Sequence, residues 1–341
     1  MVSCKKTYTL ILLLFAYGGL SSQNHPVSEE APGLVKWLSF KEAFELNKKQ
    51  PKPFIIDVYT DWCGWCKHMM KTTYSDPGIA SYINNWFYPV KFNAETKDSI
   101  LYEGTTYYNP VKSEKSTHQL ALKLLNNQLM YPSTIFANYN SKFMLNSQGY
   151  LDTRKIEPML IFTNENVYLS TPFEEFREQF EKAFFDTARS SVEVKKYSFG
   201  QALEKQSKEP RMLIVEIYTD WCNGCRVMNK TTFSDTLNAD YINKKFYLVD
   251  FNAENKDTIH YQGQSYYNNG QNGTPFHQLV MTLLKNNLTL PATVFIDEKL
   301  NVVDVIPRYC SPTSMAPVLR FYGNREYKTK KWEEFIKTYK K

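Results

Sequence analysis

Two pairs of cysteines carry the chemistry this sequence offers. Each lies in a Trp-Cys-x-x-Cys motif, first Trp62-Cys63-Gly64-Trp65-Cys66 and then Trp221-Cys222-Asn223-Gly224-Cys225. Each motif follows a continuous apolar run of strand length and opens a helix. That setting puts the first sulfur near a helix N-terminus, where unpaired backbone N–H groups and the macrodipole favour an anion. A thiolate is the attacking species, so a lowered pKa makes Cys63 and Cys222 the expected nucleophiles. Cys66 and Cys225 follow about one helical turn later, close enough to attack a mixed disulfide and release the substrate. This spacing supports two-electron thiol–disulfide exchange with no cofactor. Zinc binding and a purely structural disulfide are the competing readings of such a pair. A strand-to-helix junction behind Trp, with the pairs in separate domains, argues against a shared metal site. The structural disulfide stays open as an alternative, since secreted chains oxidise.

A repeat places both motifs. Tyr59-Thr-Asp-Trp-Cys63 returns as Tyr218-Thr-Asp-Trp-Cys222, an offset of 159 residues. The same offset carries Lys71-Thr-Thr onto Lys230-Thr-Thr and Phe92-Asn-Ala-Glu onto Phe251-Asn-Ala-Glu. It also carries His118-Gln-Leu onto His277-Gln-Leu, Pro132 onto Pro291 and Pro158 onto Pro317. The period is too long for a solenoid, so a whole domain is duplicated. The expected organisation is a leader over 1–22, a linker over 23–34, and domains over 35–187 and 188–341. The polar joint falls near Arg189-Ser-Ser.

Within the first copy, Ser39–Asn47 is a helix candidate and Phe54–Tyr59 a buried strand. Cys63–Lys71 continues as a helix, Trp86–Phe92 as a second strand, and Thr117–Asn127 has helical apolar spacing. Ser133–Asn138 and Lys142–Tyr150 form a hairpin around Asn140, and Thr153–Phe162 is a closing helix, with a further helix over Phe173–Phe185. Strands alternating with helices and ending in a hairpin imply an α/β fold: a mixed central sheet with helices on both faces, built twice.

With these residues in place, both copies resemble the thioredoxin family over nearly their whole length. The resemblance extends to tandem secreted bacterial thioredoxin-like domains and to the soluble reducing domain of the membrane thiol:disulfide interchange carrier. The resemblance implies a buried acid six residues before the nucleophile, a place filled by Asp57 and Glu216. It implies a cis proline facing the redox pair, matched by Pro132 in Tyr131-Pro-Ser-Thr and Pro291 in Leu290-Pro-Ala-Thr. Trp62 and Trp221 support the pairs in the same pattern. Lys91 aligns with a lysine that pairs with the buried acid in thioredoxin, whereas the second copy has Asp250 there. Glu216 is therefore expected to be harder to ionise than Asp57, through burial plus a like charge in place of an opposite one.

Thioredoxin has Gly-Pro between its cysteines, while these sites have Gly-Trp and Asn-Gly. Strongly oxidising relatives often carry a His there that stabilises the reduced thiolate; neither site has one, which favours a reductant or mild exchanger. His118 and His277 start helical patterns far along the chain from the cysteines, so capping or packing is expected over general-base work. Tyr107-Tyr108 and Tyr266-Tyr267 suit packing better than a peptide groove. Asp61 and Asp220 are expected to be exposed and not catalytic. Cys310 falls where the first copy has Leu151, which favours a small buried apolar role over a third redox thiol.

Composition sets the remaining bounds. The chain has 341 residues, 43% hydrophobic and 22% charged, which excludes a disordered or collagen-like chain. Its 6 cysteines are too few for a disulfide-stapled mini-scaffold. The net charge of +6, or +4 without Lys5 and Lys6, gives no argument for nucleic acid. Those lysines precede an apolar run from Tyr8 to Leu20 that ends in small residues, the pattern of a secretory leader. An uncleaved N-terminal anchor is the alternative. The expected function is extracytoplasmic, in the periplasm: thiol–disulfide exchange with protein substrates, using no cofactor and no metal. A dedicated electron relay from a membrane-bound reductase, and a non-catalytic interaction module, are the alternatives.

Overall fold

The computed structural model describes residues 33–339, apart from 112, 114, 143, 187–191 and 271–273. The expected leader, nearly all of the linker and the joint at Arg189 lie outside the described residues. The first repeat runs α1 (Phe40–Lys49), β1 (Phe54–Tyr59), α2 (Gly64–Lys71), α3 (Pro77–Trp86) and β2 (Tyr88–Asn93). It continues with β3 (Ile100–Tyr102), β4 (Thr105–Tyr107), α4 (Gln119–Leu124), β5 (Ser133–Ala137), β6 (Met144–Gln148), α5 (Thr153–Asn164) and α6 (Phe173–Phe184). The second repeat opens with β7 (Lys196–Tyr197), α7 (Phe199–Lys208), β8 (Met212–Tyr218), α8 (Asn223–Met228), α9 (Thr236–Lys245) and β9 (Phe246–Asn252). It closes with β10 (Ile259–Tyr261), β11 (Gln264–Tyr266), α10 (Gln278–Leu283), β12 (Ala292–Ile296), β13 (Val302–Ile306), α11 (Pro312–Gly323) and α12 (Trp332–Thr338).

Each repeat is built around its apolar strand. β1 lies between parallel β2 and antiparallel β5, and β6 extends the sheet in the order β2-β1-β5-β6. β8 takes the same central place in the order β13-β12-β8-β9-β7. A central strand is covered on both faces, which explains why FIIDVY and MLIVEIY read as unbroken apolar runs around one acid. This α/β architecture with a mixed sheet agrees with the fold read from the sequence.

The helices begin where side chains can satisfy their first N–H groups. Ser39 with Glu42, and Ser198 with Gln201, make capping boxes at α1 and α7. The sequence reading passes over α3, although Asp76 caps it at 2.9 Å from Ile79 N and Pro77 stands in its first turn. Its last residue is Trp86, so the strand expected from Trp86 begins instead at Tyr88. The short β3–β4 and β10–β11 hairpins also lie in stretches with no strand expectation.

Packing joins the repeats. In the first, Phe40, Phe92 and Leu120 fill one face of the sheet, while Met69, Ile83 and Ile156 fill the other. In the second, Phe199, Phe251 and Leu279 fill one face. Its other face is shared: Phe162 of α5 and Phe176 and Phe180 of α6 pack in one core with Val227, Met228 and Tyr309. Burying each such aromatic is worth about 1.5–3 kcal/mol, so this seam is a substantial bond between the two halves. It also fixes which part of the first repeat faces α8.

Candidate active sites

In the first site Cys63 is the N-cap of α2, and its Sγ accepts a hydrogen bond from Cys66 N at 3.1 Å. Cys63 and Cys66 are joined by a disulfide with Cα atoms 5.3 Å apart. The strand-turn-helix path places the leading sulfur at the positive end of the helix, as the motif predicts. Trp62 and Trp65 flank it and are 60% and 63% exposed. The Trp62 indole N–H donates to Glu95 Oε1 at 3.0 Å, and its ring meets the Tyr131 ring edge-on at 6.0 Å. Tyr131 precedes Pro132 across a cis bond, so the proline loop stands beside the redox motif. Trp65 packs with His68 and Tyr150 into an aromatic surface on the other side.

Asp57 is buried in β1, in register with Lys91 of β2 and Thr134 of β5. The Tyr74 hydroxyl lies 3.5 Å from Asp57 Oδ1, and burial together with that carboxylate holds the phenol well above its ordinary range. Lys91 sets its ammonium over the Tyr59 ring, 4.6 Å from the centroid.

The second site repeats the sulfur geometry and changes its surroundings. Cys222 caps α8, its Sγ accepts from Cys225 N at 3.2 Å, and the disulfide again has a Cα separation of 5.3 Å. Trp221 donates to Glu254 Oε1 at 3.2 Å, the counterpart of the Trp62–Glu95 bond. The Leu290–Pro291 bond is cis, as at Pro132. Trp221, however, is stacked on Trp86 of α3, with centroids 5.7 Å apart and planes at 26°. Glu165, at the end of α5, reaches the start of α8 and accepts from Asn223 N at 3.0 Å and from Gly224 N at 2.6 Å. Its Oε2 lies 3.5 Å from Cys222 Sγ. Burial pushes the Glu165 carboxyl up to about 7, against the pull of the two N–H donors, Arg226 and Tyr82.

Glu216 is the buried acid of the second site, and burial lifts it to about 7. Asp250 raises it further, as the sequence predicts. The sequence reading that a like charge replaces the opposite one needs correction, because Lys196 of β7 supplies a cation. Its Nζ is 3.2 Å from Glu216 Oε2 and 3.4 Å from Asp250 Oδ1. Lys196 occupies the place of Trp37 in the first repeat, so the lysine has moved from one neighbouring strand to the next while Asp250 took its old position. Asn229 donates to Glu216 Oε2 at 2.9 Å, where the first repeat has Met70, and Phe233 stands in for Tyr74. A cleft of about 230 Å³ runs past Lys196, Glu216, Cys225 and Asp250.

The other singled-out residues have structural places. His118 and His277 are buried N-caps: each Nδ1 accepts a backbone N–H two residues on at 3.1 Å, and each Nε2 meets a backbone carbonyl, of Asp98 or Asp257. Burial lowers the pKa of both imidazoles. Tyr107 and Tyr266 pack partly against the cores, while Tyr108 and Tyr267 are exposed. Asp61 and Asp220 are exposed. Cys310 is a buried free thiol whose pKa burial pushes up to about 11, which suits a packing role and not exchange. Sequence reasoning missed Glu165, Lys196, Asn229 and Tyr74. It quoted the repeated Phe-Asn-Ala-Glu without finding that its glutamate holds the motif tryptophan.

Comparison with known proteins sets this geometry among relatives. A family model named for thioredoxin and DsbH, described as a protein of unknown function, DUF255, matches residues 21–190. A thioredoxin-like family model matches residues 195–281. The thiol:disulfide interchange protein DsbD of Pectobacterium atrosepticum is 42% identical over 36 residues, which is 11% of this chain and 6% of the relative's length. A putative disulphide-isomerase from Bacteroides thetaiotaomicron is 21% identical with a TM-score of 0.28, over 40% of this chain and 97% of its own. The C-terminal domain of Neisseria meningitidis DsbD in its reduced form is 17% identical with a TM-score of 0.25, over 36% of this chain and 92% of its own.

Proposed function

We propose, from the premise that this chain belongs to the thioredoxin-like family of thiol–disulfide oxidoreductases, that it exchanges disulfides with protein substrates outside the cytoplasm. The observation that carries this reading is the repeated sulfur geometry: in each half the leading cysteine caps a helix and is bonded to the cysteine one turn on. In the reducing direction, the Cys63 or Cys222 thiolate attacks a client disulfide. A mixed disulfide forms and one client sulfur leaves as a thiolate. Cys66 or Cys225 then loses its proton and attacks its partner sulfur, closing the internal disulfide and expelling the second client sulfur. The client gains two electrons and takes two protons from solvent, and the cysteine pair is oxidised. Asp57 and Glu216 are the buried groups assigned to the proton of the resolving thiol. Pro132 and Pro291 are assigned to the client-facing side, and Trp62 and Trp221 frame it. Lys91 and Asp250 tune the acids.

The absence of His between the cysteines supports a reducing or mildly exchanging role over a strongly oxidising one. The basic start and apolar run within 1–22 support export across the inner membrane to the periplasm. Among the described residues no helix is long and apolar enough to cross a membrane. The unequal surroundings of the pairs favour a second reading, a relay in which a membrane-bound reductase supplies electrons and one site passes them to a dedicated client. Among the described residues, Trp62 and Trp65 at the first site stand free of the other repeat, while at the second Trp86 stacks on Trp221 and Glu165 holds the helix start. Cys66→Ala and Cys225→Ala test the proposal, because a nucleophile without its resolving thiol holds clients as mixed disulfides. Many different adducts indicate general exchange, one adduct indicates the relay, and none at either site refutes catalysis.

A further inference from the structure

Glu165 is the one acidic side chain among the described residues that the first repeat hydrogen-bonds to the second repeat's redox motif. Its carboxylate takes the N–H groups of Asn223 and Gly224, donors that would otherwise face a thiolate at the helix start. The seat is shaped for it. A Cβ on Gly224 would overlap the Glu165 carboxylate, whereas the equivalent position in the first repeat is the exposed Trp65. The glycine that distinguishes the second motif is thus what admits a foreign carboxylate. Trp86 of the first repeat also stacks on Trp221 beside the motif.

We propose that Glu165, contributed by the first repeat, is the proton acceptor for Cys222, so that the reduced second site holds one proton between a thiol and a carboxyl. This deepens the exchange reading of the second site and rests on it. When Cys222 attacks a client disulfide, its proton passes to Glu165 Oε2, the Cys222–client bond forms, and one client sulfur leaves as a thiolate. Cys225 then passes its proton to Glu216, the buried acid assigned to it, and attacks Cys222, so the internal disulfide forms as the second client thiolate departs. Two solvent protons complete the client dithiol, and Glu165 and Glu216 return their protons to water. Two electrons have passed from the cysteine pair to the client.

The groups facing Glu165 fit a carboxyl that titrates near neutrality. On α3, the Tyr82 hydroxyl bonds to it and accepts in turn from Asn164 Nδ2 at 3.1 Å. On α8, Arg226 attracts the charged form, and the same arginine acts on Glu157 of α5. Burial opposes them and sets the midpoint of Glu165 at about 7 with the cysteines oxidised. Two acids in contact cannot both ionise freely, so in the dithiol form the pair loses its protons in two separated steps.

The test is a carboxyl ¹³C titration of the full chain labelled at glutamate, oxidised and then reduced with dithiothreitol, with Glu165→Gln assigning the resonance. The oxidised protein is expected to show one Glu165 transition near pH 7. The reduced protein is expected to show two, separated by more than about one pH unit. Gly224→Ala, which displaces the carboxylate, is expected to merge them into one. A reducible Cys222–Cys225 pair with the same single Glu165 transition in both redox states overturns the proposal alone. A pair that dithiothreitol leaves intact overturns the exchange reading of this site as well.

Discussion

Replacing Glu216 with Gln isolates what the second repeat loses by keeping an ionisable acid under its sheet. Burial lifts this carboxyl from 4.5 to about 7, with Lys196 pulling down and Asp250 pushing up. An unfolded chain releases the proton near pH 4.5, while the folded protein keeps it until about 7. Between those values the native state binds the extra proton, so stability falls as pH rises. At about 1.4 kcal/mol per pH unit, the loss across the window is about 3 kcal/mol. Below it both states are protonated, and above it both are ionised, so the slope is confined to the interval. Gln has nearly the same shape and can still accept from Asn229, but it does not titrate. The stability of Glu216→Gln relative to the natural protein should therefore rise by about 3 kcal/mol between pH 4 and pH 8. Glu165 titrates in both proteins and cancels in the difference. Urea unfolding of the two oxidised proteins across this range reads the quantity directly. Curves that stay parallel would show that Glu216 ionises at its ordinary value and that burial does not govern it.

Lys196→Met leaves Glu216 and Asp250 side by side without the cation between them, and should raise the Glu216 midpoint by about one pH unit or more. A carboxyl ¹³C titration checks this, and an unmoved midpoint would assign the lysine to solvent. Phe176→Ala opens a cavity in the core shared by the repeats and should cost about 3–5 kcal/mol in urea unfolding. A loss below about 1 kcal/mol would mean that the α6 seam is not part of the cooperative core.

The parts of the site legible in the sequence are those fixed by local chain geometry. Cys63 and Cys222 could be placed at helix starts because an apolar strand precedes each and helical spacing follows. The capping roles of His118 and His277 followed from their position at the head of a helical pattern. Asp57 and Glu216 are legible through the resemblance to thioredoxins, which implies a buried acid six residues before the nucleophile, and the structure buries both inside otherwise apolar strands. The missed residues act across distance. Glu165 ends a helix 57 residues before the sulfur it touches, and only the α6 seam brings that helix end to α8. Lys196 lies on a strand of two residues, too short to leave a periodic signal. α3 was overlooked although Asp76-Pro77 marks its start, because the apolar residues around Trp86 also suit a strand.

The duplication itself is the sharper guide to these absences, because each half serves as a control for the other. At equivalent positions Trp37 and Lys91 become Lys196 and Asp250, an exchange that keeps one lysine near the buried acid but adds a carboxylate beyond it. Met70 and Tyr74 become Asn229 and Phe233, so the polar partner of the acid moves from a phenol to an amide. Trp65 becomes Gly224, and the space it vacates is filled from the other half by Glu165. These are linked replacements: the glycine has no use without the glutamate, and Asp250 would leave two carboxylates unbalanced without Lys196. They convert one inherited sulfur geometry into two different proton environments. Two carboxyls with midpoints of about 7 lie at the second pair, so its proton balance changes across neutrality. The proton balance of the second pair therefore changes with pH in a way that the surroundings of the first do not share, an asymmetry that suits the proposed relay.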